Sequence, residues 1–125
     1  MSPEMPLILI VDDESDNLTF LFDLLHNEGF RVIPVASGEE ALAAVALRHP
    51  RLVITDLRMP HMNGLELLAR IKEIAPETRV LILTAFGSKA NVEQAVQQGG
   101  DGLIQRPCRN EDLLHAVKSA LSERS

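Results

Sequence analysis

The chain has 125 residues, 46% of them hydrophobic, with 12 basic against 18 acidic side chains and a formal net charge of −6. That length predicts a single domain over 1–125 with its core over about 7–121, large enough to bury roughly two thirds of the surface its unfolded form exposes. The acidic balance argues against direct nucleic-acid binding, which needs a basic patch, and the lone cysteine, Cys108, excludes an internal disulfide framework and fits a reducing compartment. The longest aliphatic run, Leu7 to Val11, is far shorter than the ~20 residues of a membrane helix. Residues Met1 to Pro6 lack the positive start of a secretory signal. The expectation is a soluble, cytoplasmic domain with no membrane contact.

Short aliphatic runs alternate with longer segments of helical periodicity. Leu7–Val11 reads as the first strand, and Leu18, Leu21, Phe22 and Leu25 then form one helical stripe. Val32–Val35 is a second strand; Ser37 with Glu40 makes a capping box ahead of Ala41, Leu42 and Val45. Leu52–Thr55 is a third strand, followed after Asn63-Gly64 by the stripe Leu65, Leu68 and Ile71. Val80–Leu83 is a fourth, followed by Val92, Ala95 and Val96 in a helix opened by Ser88 and closed by Gly99-Gly100. Leu103-Ile104 is the fifth, and Asn110 caps a last helix with Leu113, Leu114, Val117 and Leu121 facing inward. Strands apolar on both faces belong in a parallel sheet covered on both sides.

The pattern is (βα)5, which right-handed crossovers wind into a doubly wound five-stranded parallel sheet. Of the two common strand orders, the flavodoxin-like 2-1-3-4-5 suits this length. Pro34 supports it independently, because a proline cannot donate to a ladder and belongs on an edge strand.

Ligands of such sheets bind beyond the carboxyl ends of the strands, at the switch point between strands 1 and 3. Those ends carry Asp12 and Asp13, then Asp56, Thr84 and Arg106. Three bare carboxylates in one small space would repel and push a pKa up. A partly hydrated Mg²⁺ removes the conflict, and a hydroxyl and a guanidinium facing it suit a further anion such as a phosphoryl group. Each residue also has an ordinary reading: Asp12-Asp13 at a helix start, Asp56 in a turn, Thr84 ending a strand, Arg106 on the surface. Their joint placement on one rim favours a site.

The motifs Val11-Asp12-Asp13-Glu14, Thr55-Asp56-Leu57-Arg58-Met59-Pro60-His61-Met62-Asn63-Gly64, Leu83-Thr84-Ala85-Phe86-Gly87 and Gln105-Arg106-Pro107, in this order, resemble the receiver domains of response regulators in two-component signalling, of the CheY-like superfamily. The resemblance implies that Asp56 is the phospho-acceptor, taking a phosphoryl group from the phosphohistidine of a sensor histidine kinase or a histidine phosphotransfer protein to give a 4-aspartylphosphate. It implies Mg²⁺ held by Asp12, Asp13, Asp56 and the backbone carbonyl of Arg58. By the same resemblance Arg58 and Phe86 govern water's access to the phosphoryl group, and the Arg106-Pro107 bond is cis. Thr84 would move inward on phosphorylation and reshape the surface of the fourth predicted helix, fifth strand and fifth predicted helix, a face for a downstream effector or a homodimer. Such a chain catalyses its own phosphorylation and dephosphorylation and is not otherwise an enzyme.

Two positions depart from the family pattern. Arg106 stands where lysine is usual, and its planar fork is not equivalent to an ammonium. Leu103 stands where the switch aromatic is usual. These departures motivate an alternative, a non-switching receiver-like interaction module that works without phosphorylation. Against a Mg²⁺ phosphohydrolase, the chain shows no cap segment to enclose a substrate and no separate general acid, and a flavin-binding protein would not place Asp12-Asp13-Glu14 where it needs to cradle phosphate. His26, His49, His61 and His115 lack metal-ligand spacing, and Cys108 reads as a packing residue.

Overall fold

The computed structural model describes residues 5–84, 102–106 and 108–122. The strands are β1 (Leu7–Val11), β2 (Arg31–Val35), β3 (Leu52–Thr55), β4 (Arg79–Thr84) and β5 (Gly102–Gln105). Helices α1 (Ser15–Asn27), α2 (Gly38–Arg48) and α3 (Gly64–Ile74) follow the first three strands, and a C-terminal helix (Asn110–Ser122) follows β5. The fourth predicted helix, Phe86 and the Arg106-Pro107 bond lie outside the described residues.

All four strand pairs are parallel and the order is β2-β1-β3-β4-β5, the flavodoxin-like arrangement. Burial follows position in that order. Every residue of β1 and β3 is buried, whereas β2 and β5, at the two edges, are only partly covered. Pro34 pairs with Ile10 on edge strand β2 and is exposed, so the ladder bond it cannot donate would have pointed to solvent.

Alternation along the strands splits the core between the two faces. Leu9, Val11, Val53, Val80 and Ile82 pack with Ala41 and Val45 of α2 and Leu68 and Ile71 of α3. Ile8, Ile10, Ile54, Leu81 and Leu83 pack with Leu21 and Leu25 of α1 and Leu113 and Val117 of the C-terminal helix. Each fully buried aliphatic side chain contributes about 1.5–3 kcal/mol, so the two layers hold the central strands rigidly from both sides.

Local chemistry fixes the helix ends. The Ser37 hydroxyl accepts from the Glu40 N–H at 3.1 Å and donates to the Glu40 carboxylate at 3.1 Å. The full reciprocal capping box belongs instead to α3, where Asn63 accepts from the Glu66 N–H at 2.9 Å and Glu66 accepts from the Asn63 N–H at 3.3 Å. Asn110, expected to cap the last helix, is its first residue; Leu113 N–H donates to the Arg109 carbonyl. Shifts of one residue at a helix end are ordinary.

Candidate functional site

The acidic cluster is a product of register. Val11 of β1 lies opposite Thr55 of β3, and the backbone bonding continues one residue further: Asp12 N–H donates to the Val35 carbonyl at 3.2 Å and Asp56 N–H to the Val11 carbonyl at 3.1 Å. Asp12 and Asp56 therefore leave the sheet side by side, where the connection after β1 runs to one side of the sheet, to β2, and the connection after β3 runs to the other, to β4.

Asp13 joins them, and one carboxylate oxygen from each of the three residues lies within 4.8 Å of the others. Their environments differ. Asp12 is 1% exposed, Asp56 is half-buried and Asp13 faces solvent. Asp12 Oδ1 accepts the Glu14 N–H at 3.0 Å, across the turn that leads into α1. Asp12 Oδ2 is buried with no hydrogen-bond partner, 3.7 Å from the Arg106 Nη2. A buried carboxylate oxygen without a bond is costly, and this one belongs to a member of the acidic cluster.

Asp56 sits on a shaped support. Its Oδ1 accepts the Leu57 N–H at 2.8 Å, which sets the rotation of the carboxylate. Gly64 N–H donates to the Leu57 carbonyl at 2.8 Å. A Cβ on Gly64 would collide with the Asp56 carbonyl oxygen and crowd the Leu57 Cα, both backbone atoms, so only glycine lets α3 start this close to Asp56. The Asp56 pKa is raised above 3.8 by burial first and by the neighbouring charge of Asp12, against the lowering effects of the Leu57 N–H, Arg106 and the Arg58 N–H. Repulsion between two carboxylates in a small space is thus a property of the folded protein.

Around the acids, Thr84 ends β4 fully buried, and its carbonyl accepts the Arg106 N–H at 2.8 Å. Arg106 is 26% exposed and reaches across to Asp12. Arg58 is exposed and shares a shallow cleft of about 570 Å³ with Asp13, Met59, Pro60 and Asn63. Leu103 pairs with Ile82, two residues before Thr84 and on the same face, and packs half-buried against the α2–α3 layer. The structure thus brings together Asp12, Asp13, Asp56 and Arg106, with Thr84 tied to Arg106 through the backbone. The four histidines are exposed and separate, with His61 at φ +71° in the loop after Asp56. The sequence marks Asn63-Gly64 as the start of the third helix but not the close approach of Gly64 to Asp56 or the Asn63–Glu66 box, although the Asn-x-x-Glu spacing is a signal for the latter.

Comparison with known proteins shows the family to which the fold belongs. The family model described as "Response regulator receiver domain" matches residues 8–118. The chain is 37% identical over 123 residues to transcriptional regulatory protein GlrR of Escherichia coli, covering 98% of this chain and 28% of that one. It is 33% identical over 118 residues to sporulation initiation phosphotransferase F of Bacillus subtilis, covering 94% and 95% of the two. A response regulator receiver domain protein from Clostridium thermocellum superposes with a TM-score of 0.89 at 33% identity, covering 94% of each. The chain belongs to the response regulator receiver domain family of two-component systems. It spans about a quarter of the length of regulators such as GlrR and nearly all of the shorter relative. Among the described residues no helix is long and apolar enough to cross a membrane.

Proposed function

We propose that Asp56 accepts a phosphoryl group from the phosphohistidine of a sensor histidine kinase or histidine phosphotransfer protein, in a reaction that requires a divalent cation. The observation that carries this is the cluster of Asp12, Asp13 and Asp56 within 4.8 Å, with a buried Asp12 oxygen that no protein donor satisfies. An all-oxygen donor set suits a hard cation, and Mg²⁺ typically takes one or two carboxylates together with phosphate and water. Asp12, Asp13 and Asp56 would hold it, with the Arg58 carbonyl as a further oxygen. When bound, it supplies neutralising charge for the phosphoryl oxygens.

The chain's own residues supply the rest. Asp56, its carboxylate rotation set by the Leu57 N–H, attacks phosphorus in line with the histidine nitrogen. A P–O bond forms as the P–N bond breaks, and the leaving imidazole retains the electron pair and takes up a proton. Arg106 and the Thr84 hydroxyl contact the equatorial oxygens, where the transferring group concentrates charge. The product is an acyl phosphate, which water later cleaves, with Arg58 and Phe86 governing access. In this sense the chain catalyses its own phosphorylation and dephosphorylation.

Thr84 couples the site to the face that includes β5 and the C-terminal helix, through which a downstream effector or a second copy would be engaged. One observation favours a second reading. Leu103, on the same face as Thr84, is smaller than an aromatic and has no polar tip, which suits a module whose surface does not switch. Incubation with a radiolabelled, phosphorylated histidine phosphotransfer protein, with Mg²⁺ and with EDTA, tests the main reading. Mg²⁺-dependent transfer of label to the wild type and none to Asp56→Asn is expected. Stable complex formation without any transfer of label would favour the second reading.

A further inference from the structure

The loop between β3 and α3 is closed at its ends and pinned at one point in its middle. Gly64 N–H donates to the Leu57 carbonyl at 2.8 Å, which ties the exit of the loop to its entry. Of the residues between those two, 58–63, only Met62 is buried; Arg58, Pro60, His61 and Asn63 are exposed and Met59 is half-buried. The Met62 side chain joins the core layer beneath α2 and α3, and its N–H donates to the Pro60 carbonyl at 2.8 Å. That bond makes His61 the centre of a γ-turn, at φ +71°, a rare and strained backbone state for a residue with a side chain. Such a turn persists only where its surroundings hold it.

A seat on α2 holds this one. Gly38, the first residue of α2, is buried against Met62: a Cβ there would lie 2.7 Å from the Met62 Sδ, 3.0 Å from its Cβ and 3.1 Å from its Cγ. The contact runs along the length of the side chain and is not confined to its flexible end. Ser37 caps the same turn of α2, so the surface under Met62 is backbone fixed by its cap. The entry of the loop carries the acceptor's supports. Leu57 N–H donates to Asp56 Oδ1 at 2.8 Å, and the Arg58 N–H also bonds the carboxylate. Were Met62 unseated, the strain at His61 would be relieved by a shift of the loop, and those amides would move with it.

Resting on the metal-dependent phospho-acceptor reading above, we propose that Met62 is a positioning residue for phosphoryl transfer: seated on Gly38, it holds the strained loop 58–63 in the shape that aims the Leu57 and Arg58 amides at Asp56 and presents the Arg58 carbonyl to the cation. Met62 acts through the loop alone, from within the core layer. Small displacements at such a site are costly, because nucleophile and ligands must be held to within a fraction of an ångström. By linkage, a seat that strengthens cation binding is itself steadied when the cation binds. The first turn of α2 thereby belongs to the transfer machinery, although none of its side chains has a part in the chemistry.

The test is Mg²⁺ affinity, read by titration of backbone amide resonances without any phosphodonor, for wild type, Met62→Ala, Met62→Leu, Gly38→Ala and Leu25→Ala. Each is measured at a temperature where circular dichroism shows it folded. Met62→Ala is expected to bind Mg²⁺ about tenfold more weakly than wild type, the low end of the effect of removing a group that orients a metal ligand. Gly38→Ala, whose methyl presses on Met62 from the other side, is expected to weaken binding as well. Met62→Leu, which keeps the bulk of the side chain, is expected to stay within about threefold of wild type. Leu25→Ala opens a cavity in the opposite layer, near the end of α1, and is expected to leave the affinity within about twofold of wild type, because distant losses of packing act independently. A second measurement needs no variant: in the wild type, hydrogen exchange at the Met62 and Gly64 amides is expected to slow on saturation with Mg²⁺. Unchanged affinity in a folded Met62→Ala, an equal loss in Leu25→Ala, or wild-type exchange indifferent to Mg²⁺ overturns the positioning role and leaves the phospho-acceptor reading intact. A wild type that binds no Mg²⁺ overturns both.

Discussion

Replacing Asp56 with asparagine should stabilise the metal-free protein at neutral pH, although it removes the residue at the centre of the site. In the folded chain, carboxylate oxygens of Asp12, Asp13 and Asp56 lie within 4.8 Å of one another, a separation at which two unit charges repel by about 3.5 kcal/mol at an effective dielectric of 20 and about 0.9 kcal/mol in water. Asp56 is half-buried and Arg106 offsets part of the repulsion, so the net gain should lie near the lower figure, about 1 kcal/mol. For a domain of this size that is a rise of about 3–6 °C in Tm. The asparagine side chain still accepts from the Leu57 N–H, so the support of the loop is kept.

Far-UV circular dichroism melts in EDTA are the assay, since the chain has no Trp and no Tyr to report by fluorescence. The sign of the pH dependence follows from the raised pKa of Asp56. Ionised above that pKa, Asp56 costs the fold stability; protonated below it, it does not. The advantage of Asp56→Asn should therefore be full at neutral pH and fade as pH falls through the raised value toward 3.8. Mg²⁺ should narrow or invert the difference, because a cation at ten times its dissociation constant stabilises the wild type by about 1.4 kcal/mol and the variant loses a ligand. A variant no more stable than wild type in EDTA at neutral pH, or an advantage undiminished by acid, would refute the reasoning.

Three further outcomes are expected. Gly64→Ala should destabilise by about 1–3 kcal/mol in urea unfolding and slow phosphorylation, because the new Cβ would press on the Asp56 carbonyl oxygen; wild-type behaviour in both would remove Gly64 from the account. Asn63→Ala should cost about 1 kcal/mol through loss of the α3 cap, with Glu66 N–H left unpaired, and leave the extent of phosphorylation unchanged. Leu68→Ala, in the fully buried layer beneath α3, should cost about 2–5 kcal/mol by calorimetry; a loss under 1 kcal/mol would contradict the packing described.

Much of this fold could be read from the chain. Leu7–Val11, apolar at every position, could only be a central strand, and Pro34 could only sit at an edge. The meeting of Asp12 with Asp56 followed from strand order, because β1 and β3 are neighbours and each ends one residue before its acid. What escaped depends on side-chain direction and close approach, which no periodicity encodes. The pairing of Arg106 with Asp12 crosses from β5 to β1 over two intervening strands and is set by a long, flexible side chain. Gly64 reads as a turn residue in sequence, whereas its role is the backbone contact with Asp56. The fully buried Asp12 and the half-buried Asp56 are alike in sequence; they differ in where the two loops turn after the sheet.

The central claim is that Asp56 takes the phosphoryl group in a cation-dependent reaction. Intact mass after incubation with acetyl phosphate tests it most directly, on wild type with Mg²⁺, on wild type with EDTA, and on Asp56→Asn with Mg²⁺. One phosphoryl adduct in the first sample and none in the other two is the expected result. An adduct of equal yield in Asp56→Asn, or one indifferent to EDTA, would contradict the account.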